Sequence, residues 1–439
     1  MIALPAAPLE PSVAARRAAA LPGACWLVRP SADQIGIAGD LVGTAPVEIV
    51  RGASGVDLER LEAAWATARA TWSRGGPAAA GVPAAAGWFS YELGRRLMGL
   101  PPRDDGEPLF EVHFYDAIWS RPVGGEAVIW ACDEGAARRL AARLANPIAD
   151  PSWGPLPILG PLEPAHPASV FLDGVRRILD YLQAGDAYQV NLSRRLTARC
   201  GAGDPVALAA ALRARAPAPN AAFIAHGDGR GASIGNSPER FLSLDLAGVV
   251  ETRPIKGTRP RGGSLATDRA AIADLLASPK DRAEHVMIVD LERNDLGRVC
   301  RTGSVEVAAL AQAVTFPTVH HLVSTVRGVL RPGVGLTGLL RATFPGGSIT
   351  GAPKRRAMQI IDELEPTDRG AYTGATGWLG AAGDLDLAIA IRTAAVRDGT
   401  LALSVGAGIV ADSTPETELA ETDIKARAFE ALCSGARRG

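Results

Sequence analysis

Seven prolines fall between Pro147 and Pro167. Each removes a backbone donor and fixes its own φ, so no helix or sheet interior tolerates that density. Residues 147–168 therefore read as a linker, and the chain divides into an N-terminal region, 1–146, and a second region, 169–435. The two are expected to pack as one intertwined unit.

The first 30 residues are rich in Ala and Pro and read as loosely structured. From there to 145, strand-like runs (Val47–Val50, Ala127–Ala131) alternate with helical ones (Leu58–Arg74, Glu134–Ala145). After the linker, Ser169 is placed to cap a helix whose apolar stripe is Phe171, Leu172, Val175, Ile178, Leu179 and Leu182, with Gly185 ending it. Strands are expected at 188–196, 221–225, 240–244, 248–253, 304–309, 372–380, 385–394 and 401–410. Strands in runs, with helices between the runs, predict an α/β (α+β) fold: a large layered sandwich of stacked mixed sheets flanked by helices.

A 439-residue chain that is 47% hydrophobic and 21% charged can bury a large core, and its net charge of −1 gives no footprint for nucleic acid. No apolar run is long enough to span a bilayer, and no h-region follows Arg16 and Arg17, so neither a membrane span nor a signal peptide is expected. The five cysteines are scattered, with no Cys-x-x-Cys, which points away from zinc and disulfides and toward a reducing, cytoplasmic setting.

Three features carry chemistry. Lys256 lies in Glu251-Thr-Arg-Pro-Ile-Lys-Gly-Thr258, which reads as a tight, partly apolar turn closing a strand. A lysine shielded from water loses part of its preference for the charged form and becomes a nucleophile; taken locally, the same residues also describe an ordinary surface lysine. Next, two helix starts each carry an acid pair: Asp281 and Glu284 after Ser278-Pro279, and Glu418 and Glu421 after Thr414-Pro415. Facing each other, the pairs would form an oxygen-rich site suited to Mg²⁺; separately, they only complement helix dipoles.

The third feature is Phe344-Pro-Gly-Gly-Ser-Ile-Thr-Gly-Ala-Pro-Lys354, a glycine-rich cradle leading into a helix near Ala352. Ala352 stands where a phosphate-loop lysine belongs, so a carboxylate is a better ligand than a nucleotide. Along 385–393, Arg392 falls on a face with Ala388 and Ala390, where its fork has room for a carboxylate; a surface ion pair is the alternative. Gly406 and Gly408 share one strand face and allow close approach of a ligand, or mark a bend.

Together these segments resemble the chorismate-utilising enzymes, which include anthranilate synthase large subunits, aminodeoxychorismate synthases and the isochorismate and salicylate synthases. The carriers are Tyr188-Gln-Val-Asn-Leu-Ser193, Ser237-Pro-Glu-Arg-Phe241, Pro254-Ile-Lys-Gly-Thr258, Glu284-His-Val-Met-Ile-Val-Asp290, Arg293-Asn-Asp295, His321-Leu-Val-Ser324, the glycine-rich cradle, and Gly406-Ala-Gly through Lys425-Ala-Arg427. A weaker match, Gly87-Trp-Phe-Ser-Tyr-Glu-Leu-Gly94, extends the resemblance into the N-terminal region. It implies that Glu284 and Glu421 ligate Mg²⁺, supported by Asp281 and Glu418, and that the metal holds the ring carboxylate of chorismate. Tyr372, Arg392, Gly406, Gly408 and Lys425 would hold the enolpyruvyl carboxylate, with Ser348 nearby; Glu239 would be the general acid, and His321 would line the ring as a third catalytic candidate.

The resemblance also sorts the chemistry. Isochorismate and salicylate synthases carry a lysine where this chain has Gln189, and anthranilate synthases usually carry a small residue where it has Lys256. The aminodeoxychorismate synthase branch carries Pro-Ile-Lys-Gly-Thr, as here. That branch implies amination of chorismate at C4, ammonia from a separate glutamine amidotransferase subunit (component II), and a separate lyase leading to 4-aminobenzoate and folate. The rivals are an anthranilate synthase component I, and a silent paralogue that binds chorismate or the glutaminase as a regulator. Trp26-Leu-Val-Arg-Pro-Ser31 departs from the Leu-Leu-Glu-Ser pattern of tryptophan-inhibited relatives.

Overall fold

A computed structural model describes residues 1–19, 21–31, 37–55, 57–103, 106–145 and 159–435. Most of the proline-rich linker, 147–158, lies outside these residues. Two large sheets dominate, one of 12 and one of 10 strands, and every pairing among the described residues is antiparallel. Tight hairpins explain part of this. Thr393–Arg397 turns back into Thr400–Ile409 through Asp398 and Gly399, whose φ of 47° and 76° suit a two-residue turn matched to strand twist.

Both sheets draw strands from both sides of the linker. The larger runs from Ile2–Pro5 through Cys25–Pro30 to Asn220–Ala225 and ends on Thr400–Ile409, Gln189–Arg199 and Gly351–Ala352. The smaller joins Ile255–Pro260, Val319–Val329, Val249–Arg253, Arg240–Leu244, Leu385–Ile389 and Ala375–Gly380 to Pro83–Phe89. Between the sheets, Leu27, Leu41 and Ile224 meet Trp88, Ala86 and Trp378. Helices cover the outer faces: Leu58, Leu61 and Trp65 pack on the smaller sheet with Val289 and Leu340, while Ala14, Leu140, Leu212 and Phe429 pack on the larger. Burying these apolar faces is the main stabilising term, about 1.5–3 kcal/mol for each large side chain. Among the described residues no helix is long and apolar enough to cross a membrane.

Several local expectations need correcting. The first 30 residues are not loose: Pro11–Ala18 is a helix that buries Ala14, Ala15 and Ala18, small residues that fit close against the sheet. The helix after the linker begins at Ala168, with Pro167 at its cap and no side-chain cap bond, so Ser169 lies inside it. The segment 385–394 is not one strand. Leu385–Ile389 ends in the smaller sheet, Thr393–Arg397 starts in the larger, and the chain crosses between them at Ala390–Arg392.

Candidate active site

The second crossing between the sheets lies beside the first. Gly231–Ser237 belongs to the larger sheet and Arg240–Leu244 to the smaller, so Pro238 and Glu239 bridge them. The two crossings are bonded: Ile389 N–H donates to the Glu239 carbonyl at 3.0 Å, and Asn236 N–H to the Arg392 carbonyl at 3.0 Å. Arg392 takes a left-handed φ of 53°, which an interior strand position does not allow. Its guanidinium is therefore aimed by the crossing and not by strand alternation. Burial makes its charge less favourable, Tyr372 partly offsets this, and no carboxylate pairs with it among the described residues. It stands ready for an anion.

Lys256 sits in the strand Ile255–Pro260, which pairs with Val319–Val329 and carries a register shift between Lys256 and Thr258. Gly257, at φ 68°, supplies the bulge. This is a strand and not the turn expected. The Lys256 side chain is 12% exposed, and its Nζ lies 2.8 Å from Glu284 Oε1. The depressed basicity expected of a nucleophilic lysine is absent in this state. Burial pulls its pKa down, but Glu284, Glu239 and Glu421 together raise it above the ordinary value, so Lys256 is held as an ammonium.

The two helix starts meet here. Pro279–Gly297 is capped by Ser278, whose Oγ accepts from Asp281 N–H at 3.2 Å, and carries Glu284 one turn in. Pro415–Gly435 carries Glu421, which binds Lys425 Nζ at 2.7 Å; the same ammonium reaches the Gly406 carbonyl at 2.7 Å. Lys280 of the first helix stabilises the charge of both Glu418 and Glu421 on the second. Net, Glu421 is lowered despite its burial, chiefly by Lys425, whereas burial raises Glu418.

Asp281 is tied to Arg259 at 3.0 Å, and Glu418 is buried. Among the described residues no three or more His, Cys, Asp or Glu side chains form a cage able to hold a metal unaided. What converges on Lys256 is a pair of hard carboxylates, Glu284 and Glu421. That donor set fits a cation that keeps waters and substrate oxygens, as Mg²⁺ does.

Glu239 is 4% exposed and its carboxyl is pushed up to about 7 by burial, against the Ser348 hydroxyl, the Lys256 charge and the Ile255 N–H, which donates to Oε1 at 3.3 Å. A carboxyl that is still partly protonated near neutral pH is suited to general acid work. His321 is pushed down to about 4 by burial and is neutral; its Nδ1 lies 3.1 Å from the Gly257 carbonyl and 3.0 Å from Thr258 Oγ1, and Phe316 packs edge-on. It thereby braces the Lys256 bulge.

The floor is the strand Thr400–Ile409. A Cβ on Gly406 would lie 2.9 Å from the Tyr372 hydroxyl, and one on Gly408 would lie 2.2 Å from Gln189 Nε2. Both positions need glycine for close approach. Ser348 lies in a short 3₁₀ turn, Gly347–Ile349, while the following helix starts only at Lys354. The cradle is therefore not an open helix N-terminus: Gly351–Ala352 adds a strand to Gln189–Val190 instead.

Sequence reasoning did not assign three neighbours of the site. Gln189 is fully buried and donates to Glu284 at 3.2 Å. Asn191 has a buried Oδ1 beside Gly406 with no partner among the described residues. Glu292, bonded to Thr252 at 2.7 Å, has a carboxyl raised by burial to about 8. Gln189 and Asn191 alternate with apolar Val190 and Leu192, a signal that could have marked their face.

The sequence model for the chorismate binding enzymes matches residues 23–431. The chain belongs to the chorismate-binding enzyme family. It is 44% identical over 350 residues to an aminodeoxychorismate synthase component 1 of Klebsiella aerogenes, covering 77% of this chain and 74% of that protein. It is 41% identical over 367 residues to an anthranilate synthase component 1 of Haloarcula marismortui, covering 78% and 71%. Its structure superposes on the anthranilate synthase component I of Streptococcus pneumoniae with a TM-score of 0.76 at 30% identity, covering 90% and 92% of the two chains. Overall identity thus runs nearly level across two members of the family with different names, and the discriminating weight falls on the site.

Proposed function

We propose that this chain is an aminodeoxychorismate synthase component 1, which turns chorismate and ammonia into 4-amino-4-deoxychorismate. The observation that carries this reading is Lys256, buried between Glu284 and Glu239. A lysine there gives the site its own nucleophile, placed within the field of a protonated acid.

Chorismate lies with its enolpyruvyl carboxylate on Arg392, Tyr372 and Lys425, over Gly406 and Gly408. Glu284 and Glu421 would hold magnesium, which would supply positive charge to anchor the ring carboxylate. Glu284, once engaged elsewhere, no longer holds Lys256 as an ammonium, and burial then favours the neutral amine. Lys256 Nζ attacks C2, both ring double bonds shift, to C6=C1 and C4=C5, and the C4 hydroxyl leaves as water with the proton of Glu239. Ammonia then attacks C4, both double bonds shift back, and the Lys256 amine departs from C2. Without the lysine, ammonia itself attacks C2, the course toward anthranilate. A separate glutaminase subunit supplies the ammonia, and the product serves 4-aminobenzoate and folate synthesis in the cytoplasm.

Incubating the chain with chorismate, Mg²⁺ and ammonium, with and without a lyase, tests this. Aminobenzoate that forms only with the lyase supports the proposal. Fluorescent anthranilate without lyase favours the anthranilate synthase reading, and absence of turnover favours the regulatory one.

A further inference from the structure

The sheet face that floors the site does not end there. On Thr400–Ile409 the residues Gly408, Gly406, Ser404, Ala402 and Thr400 point the same way, and their register partners Asn191, Ser193 and Arg195 do so on the next strand. Ser404 is about 7 Å beyond Gly406 at the usual rise of a strand. There the face opens into a cavity of about 560 Å³, whose walls include Arg195, Ser404, Thr393, Trp88, His226 and Tyr372. Tyr372 is the partition: its hydroxyl rests against Gly406 on one side, and the residue lines the cavity on the other. Outward, the cavity shares Trp88, His226, Glu107, Pro108 and Arg397 with a second cavity of about 360 Å³.

Four buried polar atoms on this path have no partner among the described residues: Trp88 Nε1, His226 Nδ1, Glu92 Oε2 and Arg195 Nε. Trp88, Glu92 and His226 are each more than nine-tenths buried. Unpartnered polar groups at such burial carry a desolvation cost of about 1–3 kcal/mol each, so the corridor is built for something that both donates and accepts. Formal charge balances among the lining Arg195, Arg369, Arg397, Glu92, Glu107 and Asp368. The opposite side of the site, by contrast, is crowded with Lys256, Lys425, Glu284 and Glu421, where the substrate carboxylates bind.

The geometry points to this corridor, from its rim at Glu107, Pro108 and Thr400 past Ala402, Trp88 and Ser404 to Tyr372, as the entry path for ammonia. The inference rests on the reading that ammonia is the nucleophile. Neutral ammonia carries three N–H donors and one lone pair, and suits a mixed lining whose formal charges balance; it reaches the ring from behind Tyr372 while chorismate closes the front.

The test blocks the corridor outside the catalytic residues. Ala402→Phe fills it midway, and Thr400→Trp does so at its exposed rim, where the fold is not at stake. Turnover of chorismate is measured against ammonium chloride at fixed pH and Mg²⁺. The expected result is a KM for ammonium raised tenfold or more, with the KM for chorismate unchanged, and an Ala402→Ser control like wild type. An ammonium KM within twofold of wild type in Thr400→Trp overturns the corridor while leaving the function standing. Wild-type enzyme that makes no product from ammonium removes both.

Discussion

Lys256 Nζ lies 2.8 Å from Glu284 Oε1, so the proposed nucleophile and a proposed metal ligand neutralise each other. Occupying Glu284 is therefore coupled to freeing Lys256. Lys256→Ala is expected to lose aminodeoxychorismate formation by a hundredfold or more, with any residual amination diverted toward anthranilate. Product analysis with and without lyase checks both outcomes.

Glu239 must hold its proton to act as an acid, and its carboxyl is raised to about 7. Activity is expected to persist below pH 7 and to fall as pH rises through that value. Glu239→Gln should lower kcat by about 10²–10⁴ and remove that limb of the kcat/KM profile. A limb at the same pH in the variant would exclude Glu239 as its source.

Among the described residues Arg392 has no carboxylate partner, and it faces the proposed enolpyruvyl carboxylate. Arg392→Gln should raise the chorismate KM about tenfold to a hundredfold, the scale of a charged hydrogen bond worth about 1.5–3 kcal/mol. Thermal stability should hardly change, since no ion pair is lost. Steady-state kinetics beside a melting curve separates the two.

Much of this site was legible wherever the signal is local. Ser278 caps its helix as expected, because a cap depends on three neighbouring residues. The acid pairs fell one turn apart for the same reason. That their helices meet was not legible, since this depends on packing between segments more than 130 residues apart. Arg392 was assigned to a strand face because alternation continues through the crossing; only the positive φ reveals the break. The sign of the Lys256 shift was also hidden, since three carboxylates from distant segments outweigh burial. The layered α/β architecture was readable from strand spacing and the two regions were expected to intertwine, whereas which N-terminal strands join which sheet was not readable.

Glu292 supplies a stability test independent of catalysis. Its folded-state carboxyl is raised from 4.5 to about 8, chiefly by burial. The unfolded chain therefore releases this proton first, and stability falls as pH rises from about 4.5 to 8. Glu292→Gln keeps a hydrogen-bonding group near Thr252 and removes that slope. Its melting temperature relative to wild type should increase between pH 5 and pH 8; a constant difference would contradict the shift.

Intact-protein and peptide mass spectrometry on enzyme mixed with chorismate and Mg²⁺, with ammonia withheld, tests the covalent role of Lys256 most directly. The account predicts a peptide containing Lys256 that gains the mass of chorismate less one water, absent in Lys256→Ala and discharged when ammonium is added. Full turnover on adding ammonium, with no adduct on Lys256 at any time before it, would contradict the account.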